Sequence, residues 1–191
     1  MKSILLNLLA LVCLTGCSLF FEAADITHRR SKALPEGGVV IGDRFSVRAP
    51  AGGLYPTQNI PTSGGVTLRP TEPAFDGYVY FVTPFSSPSA QTADQAFDEW
   101  NRRPGFQGVQ VNVIERKSTT VFGKNATRAV VDVVQGSIGQ IAAMVVVKRQ
   151  NDFLILARGD RYYTPLRRDH TIELCKTGLH KLIQSTSLTD R

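Results

Sequence analysis

The feature that most constrains this chain is the run from Ile141 to Val147, IAAMVVV, which has no polar interruption. Successive side chains of a strand point to opposite faces, so a strand that is apolar at every position must be covered above and below. Its surroundings read as sheet. Val109, Val111 and Val113 alternate with polar residues over 109–116, and 119–122 continues that strand after a kink. Gly123-Lys124-Asn125 reads as a turn. Gly136-Ser137, a two-residue connection with glycine first, suits a type II′ hairpin between strands over 126–135 and 138–149. Gln150-Asn151-Asp152 leads to a last strand over 153–158. The result is a four-strand antiparallel meander with a central, doubly covered third strand, which argues for a layered sandwich.

Two amphipathic helices offer the cover. Thr92 followed by Gln95 makes a capping box, and Ala93, Ala96, Phe97 and Trp100 form the apolar stripe of a helix over 92–103, ended by Pro104-Gly105. Asp94 and Asp98 share its other face. Paired carboxylates can do acid–base chemistry, but here one sits near the positive helix N-terminus and the other four residues before Arg102, which points to a surface face. At the C-terminus, Ile172, Cys175, Leu179, Leu182 and Ile183 recur at helical spacing over some 15 to 20 residues. Cys175 lies within that stripe, the place of a small buried hydrophobe rather than a nucleophile. Arg167 and Arg168 stand at the helix start, opposed to its dipole unless Asp169 and Glu173 offset them.

The N-terminal half is less regular. Short strands are expected over 39–41 and 44–49, where Phe45, Val47 and Ala49 alternate with Arg44, Ser46 and Arg48. Residues 50–74 hold five prolines and four glycines and read as a long irregular loop, with room for one short strand at 66–69. A strand over 76–83, with Tyr78, Tyr80 and Val82 on one face, ends at Pro84 and Pro88.

The first residues read as an address. Lys2 precedes an apolar stretch from Ile4 to Leu14, broken only by Asn7 and too short to span roughly 30 Å of hydrocarbon as a helix. Leu14-Thr15-Gly16-Cys17 follows, and it resembles the lipobox of bacterial lipoproteins. That resemblance implies cleavage of a signal peptide over 1–16 and acylation of Cys17. Ser18, rather than Asp, then implies the outer membrane, facing the periplasm, in a Gram-negative cell. Cys13 would leave with the signal, so Cys175 stays as the one protein thiol and no internal disulfide can form. Residues 17–38 read as a lipidated flexible tether, and 39–191 as a single domain. Some 20 flexible residues reach about 25 Å. His28, Arg29, Arg30 and Lys32 in that tether either rest on anionic headgroups or are solvated linker charge.

The element order is N-terminal strands, helix, meander with Gly123 before Ala126 and Arg128, then a final helix. It resembles the PsbP-like α/β/α sandwich, over about residues 40–187. The resemblance implies an α+β fold, a mainly antiparallel twisted sheet covered by helices. It also implies accessory roles in which other proteins are bound and stabilised, and it transfers no functional residue.

Chemistry is hard to find. There is no G-x-S-x-G elbow, Walker loop, H-E-x-x-H or paired C-x-x-C, so the reading names no catalytic residue, no metal ligand and no cofactor. His170 and His180, ten residues apart on one helix, differ by about 15 Å along its axis and cannot share a metal. Lys148, Arg149, Arg158, Arg161, Arg167 and Arg168 cluster late, with Tyr162 and Tyr163 among them. Arg158, Arg161, Arg167 and Arg168 are the candidate contacts for an anionic partner. An envelope location argues against nucleic acid and for a protein partner, with the membrane reached through the lipid anchor. Two readings result. One is a non-catalytic docking module, using the 50–74 loop or the basic edge. The other is a binding protein or hydrolase for an anionic envelope ligand, for which a concave pocket of converging polar groups would speak.

Overall fold

A computed structural model describes residues 27–57, 64–71, 78–102, 110–135, 138–162 and 164–189. The elements, in chain order, are β1 (Val39–Gly42), β2 (Phe45–Arg48), β3 (Leu54–Thr57), β4 (Val66–Pro70), β5 (Val79–Phe85), α1 (Ala93–Asn101), β6 (Gln110–Val121), β7 (Lys124–Gln135), β8 (Ile138–Lys148), β9 (Phe153–Tyr162), α2 (Arg168–Ser185) and β10 (Thr186–Leu188). Seven strands form one antiparallel sheet in the order β3-β4-β5-β9-β8-β7-β6, and β1-β2-β10 form a second, three-stranded one. The fold is α+β, with helix and small sheet on one face of the large sheet and a helix on the other.

Strand β8 is central, between β7 and β9, and it is covered on both faces. Ile141, Ala143, Val145 and Val147 enter a core with Phe45, Val47, Leu154, Leu156, Cys175, Leu179 and Leu182, contributed by β2, β9 and α2. Met144 and Val146 enter a second core with Ala93, Ala96 and Phe97 of α1 and with Phe85, Phe153 and Ile155. Each face is closed by the helix whose stripe predicts it. Thr92 caps α1 as expected: its hydroxyl accepts from the Gln95 N–H while the Gln95 side chain accepts from the Thr92 N–H.

Several boundaries differ from the sequence reading, among them β9, which runs on past 158 to Tyr162, and β10, which that reading does not include. Residues 27–31 are helical, and Leu34, within the stretch read as a tether, bridges to Leu54 and packs on the first core. Within residues 50–74 the expected short strand is present as β4, and a second, β3, is added to it; Pro56 is tolerated in β3 because that strand is the sheet's outer edge. Likewise β5 runs through Pro84 to Phe85, because β4 pairs with it only as far as Val82. The β6–β7 turn is Phe122-Gly123, both at positive φ (54° and 69°), so Lys124 and Asn125 belong to the strand. The kink in β6 is a bulge at Ile114, where the register shifts between Val113 and Glu115. Gly136-Ser137, and residues 76 and 77 of the expected strand, lie outside the described residues.

Candidate functional site

The site grows from charged residues at inward-facing sheet positions. Asp132 of β7, Ile141 of β8 and Asp160 of β9 are paired across one row, on the face that α2 covers. Arg158 stands one row further, beside Tyr80 of β5. Asp132 and Asp160 are both buried. A buried carboxylate is costly unless partnered, and the strand ends supply the partners. Tyr162 Oη donates to Asp132 Oδ1 at 2.8 Å, and Arg168 Nε, from the first turn of α2, donates to Oδ2 at 2.8 Å. Tyr162 reaches Asp132 by lying across Gly139 on the intervening strand, where a Cβ would meet the ring at 2.1 Å. Burial first, then the Asp132 carboxylate, push the Tyr162 hydroxyl above its ordinary value. The hydrogen bond to Asp132 likewise raises the Arg168 guanidinium.

Arg158 is held from several sides. Its Nη1 donates to the Leu174 carbonyl at 2.8 Å, and Nη2 lies 3.4 Å from Asp160 Oδ2. Its guanidinium sits 4.9 Å and 5.4 Å from the ring centroids of Tyr78 and Tyr80. Gly178 of α2 passes directly over this arginine, and a Cβ there would lie 2.0 Å from Arg158 Cδ. Burial pushes up the Tyr80 hydroxyl and carries the thiol of Cys175 up to about 12. That thiol, fully buried, donates to the Ile141 carbonyl at 3.5 Å.

Beside this network opens a cavity of about 310 Å³, lined by Asp160, Arg161, Arg167, His170, Thr171 and Leu174. It lies where β9 leaves the sheet and a short 3₁₀ turn, Pro165–Arg167, leads into α2. Arg161, Arg167 and His170 are exposed on its wall, with Asp160 buried beneath. A second groove, about 610 Å³, lies along β6, β7 and α2. Three of its cations serve internal contacts: Lys176 pairs with Glu115 and Glu173, Arg128 donates to the Lys176 carbonyl, and Arg116 binds Asp94 and Asp98.

The structure thus divides the four arginines singled out from sequence. Arg161 and Arg167 line the cavity, whereas Arg158 is under α2 and Arg168 is bound to Asp132. Of the wider basic edge, Lys148 and Arg149 belong to the opposite end of the sheet, where Arg149 grips Asp152 with two hydrogen bonds of 2.7 and 2.6 Å. Arg168 therefore owes its place at a helix N-terminus chiefly to Asp132 in the sheet, with Asp169 farther off at 3.8 Å. Asp94 and Asp98 both bind Arg116 of β6, at 2.7 Å each, rather than Asp98 binding Arg102. Cys17 and Tyr163 lie outside the described residues. His170, Asp132 and Asp160 are the site residues that sequence reasoning did not assemble. The usable signal was a charged residue at an inward-facing strand position.

No protein-family profile matches the chain, and no curated protein matches it. Solved structures do. The Ran-binding protein Mog1p of Saccharomyces cerevisiae superposes with a TM-score of 0.59 at 6% identity, covering 77% of this chain and 91% of Mog1p. Cyanobacterial PsbP (CyanoP) of Synechocystis sp. PCC 6803 gives 0.49 at 14% identity, over 76% and 86%. LpqN of Mycobacterium tuberculosis, involved in cell envelope biogenesis, gives 0.42 at 13% identity, over 80% and 82%. The Mog1p superposition establishes a shared fold, and at 6% identity it carries no residue role across. Among the described residues, no helix is long and apolar enough to cross a membrane.

Proposed function

We propose that this chain is a lipid-anchored envelope protein whose domain is a non-catalytic docking module for a larger protein partner, contacted through Arg161, Arg167 and His170. The lipobox residues Leu14 to Cys17 support the anchor, and Ser18 supports the outer membrane. The observation that carries the docking reading is the exposed group Arg161, Arg167 and His170, while the cavity that they surround is the feature that the small-ligand reading calls for. Arg158 and Arg168 serve the fold, while Arg161, Arg167 and His170 face solvent around an opening of about 310 Å³. That volume lies at the lower end of the range for small-molecule sites, about 300–1,000 Å³, and also admits one inserted acidic side chain. Mog1p, a Ran-binding protein, gives a precedent for protein binding on this fold.

The same cavity also supports the second reading, a binding site for a small anionic envelope ligand. One experiment separates the two. The detergent-extracted protein is purified with its partners, as wild type and as Arg161→Gln/Arg167→Gln. Docking predicts that a protein co-purifies with wild type, dissociates as salt rises, and is lost in the variant while the fold survives. Equal recovery from wild type and variant would refute the arginine contact. A small anion retained by wild type alone, with no protein, would establish the second reading instead.

A further inference from the structure

We propose that the outer face of the three-stranded sheet rests on the anionic surface of the membrane that holds the anchor, with the arginine-lined cavity at the far end of α2 and clear of that contact. This rests on the lipid-anchor reading above. The inward side of that sheet is accounted for: Phe45 and Val47 are fully buried, and Val40 packs on the same core. Its outward side carries Val39, Ile41, Ser46, Arg48 and Ser187, brought together by the pairs Val39 to Arg48, Ile41 to Ser46 and Ser187 to Ser46. Val39 is 52% exposed and Ile41 81%. Two aliphatic side chains at alternate positions of an edge strand, with an exposed arginine beside them and no acid among the five, match a headgroup layer. There the aliphatics reach the acyl boundary and the arginine meets phosphate.

The path of the chain favours this occupant over a soluble partner. From Thr27 to Arg48 there are five lysines and arginines against two acids, Glu36 and Asp43. Only nine residues separate Cys17 from Thr27. Even fully extended they span no more than about 35 Å, so an acylated Cys17 keeps this end of the domain close to the bilayer. The geometry of α2 completes the orientation. Its C-terminus passes directly into β10 of the small sheet, while its N-terminal turns carry Arg167, His170, Thr171 and Leu174 on the cavity. Eighteen helical residues at 1.5 Å each put about 27 Å between the two ends. A small sheet seated on lipid therefore leaves the cavity at the other end of α2, about 27 Å along the helix from β10.

The test uses the full lipidated protein in vesicles of phosphatidylethanolamine and phosphatidylglycerol with brominated acyl chains. Ile41→Trp is expected to be quenched. Leu166→Trp, at a position 95% exposed beside the cavity, is expected to be as bright as in unbrominated vesicles. The native Trp100 packs against Phe81 and Phe85 on the α1 side and gives a constant background. In parallel, Cys17→Ser protein is sedimented with anionic vesicles. Arg48→Gln should weaken that binding by about fivefold, the effect of one basic residue near the surface. An unquenched Ile41→Trp, or quenching equal at both positions, overturns the orientation. Metabolic labelling of wild type with an acyl-chain analogue tests the anchor separately. Labelled protein with an unquenched Ile41→Trp refutes the orientation alone, and unlabelled protein refutes the anchor on which it rests.

Discussion

Gly178→Ala puts the packing of the site to a sharp test, because two effects of opposite sign meet at one atom. In an exposed helix interior, alanine in place of glycine stabilises by about 1 kcal/mol. Gly178 instead faces Arg158, and the added methyl carbon would stand 2.0 Å from Cδ, 2.4 Å from Nη1 and 2.8 Å from Nε. An arginine stem can normally swing away at little cost. This one cannot move without releasing the Leu174 carbonyl, the Asp160 carboxylate and the faces of Tyr78 and Tyr80. A hydrogen bond from a charged donor is worth about 1.5–3 kcal/mol, and each cation–π contact adds about 0.5–2. Leaving Asp160 buried away from its arginine adds to the loss. Set against about 1 kcal/mol of helix propensity, the net expectation is a destabilisation of about 2–4 kcal/mol. That is a large share of the 5–15 kcal/mol typical of a folded domain.

Urea unfolding of the Cys17→Ser protein, followed by far-ultraviolet circular dichroism, measures this directly as a fall in midpoint at unchanged slope. A double-mutant cycle then locates the cause. In an Arg158→Ala/Asp160→Asn background the ion pair and the clash are both gone, so Gly178→Ala should cost little there or stabilise. A neutral or stabilising Gly178→Ala in the otherwise wild-type chain would refute the claim that Arg158 is wedged beneath α2. An equal loss in both backgrounds would show that the crowding comes from elsewhere.

Three further outcomes are expected. With its ionisation pushed up to about 12, Cys175 should resist alkylation in the native state and react on unfolding. The unfolded thiol ionises from about pH 8.5–9 while the folded one stays neutral, so unfolding is favoured and stability falls as pH rises through that range toward 12, a trend that Cys175→Ala should remove between about pH 8.5 and 10 and lessen above it, where the raised Tyr80 and Tyr162 hydroxyls act in the same direction. Gly139→Ala should cost about 2–3 kcal/mol in the same unfolding assay, because its methyl carbon displaces the Tyr162 ring and breaks the hydrogen bond to Asp132; a loss below about 0.5 would count against that bond. Cys17→Ser should abolish labelling by an acyl-chain analogue and leave either uncleaved precursor or protein released from the membrane, and a variant that is processed and fractionates as wild type would show that the lipobox reading is mistaken.

What could be read from the sequence follows from which residues state their surroundings locally. IAAMVVV declares two apolar environments because period-2 geometry leaves a strand no other way to hide every side chain. Thr92 and Gln95 declare a helix start because both cap bonds close within four residues. The errors lie where a non-local fact overrides a local rule. Pro56 and Pro84 are strand breakers by composition, and each is tolerated because a neighbouring strand is missing on one side. Lys124 and Asn125 look like turn residues, but Phe122 takes a positive φ beside Gly123, which a bulky residue rarely does. Leu34 could not be seen to pair, since its partner Leu54 is twenty residues away across an apparent loop.

The site was less legible for a related reason. Proximity in sequence made Arg158, Arg161, Arg167 and Arg168 look like one basic edge, yet strand alternation and a helix start send them to three environments. Arg158 faces inward because it is two residues before the inward Asp160, whereas Arg161 has the opposite parity and faces out. Arg168 is one residue past Arg167 on a helix, about 100° round the axis, which is enough to turn it onto Asp132 while Arg167 lines the cavity. The selection is therefore physical. Arg158 and Arg168 reach buried carboxylates and become part of the fold, whereas parity and helical phase put Arg161 and Arg167 on the exposed wall of the cavity. On that ground neutralising the exposed Arg161 and Arg167 is expected to disturb the fold less than removing Arg158 or Arg168, each of which takes a cation from a buried carboxylate and would report on folding instead of docking.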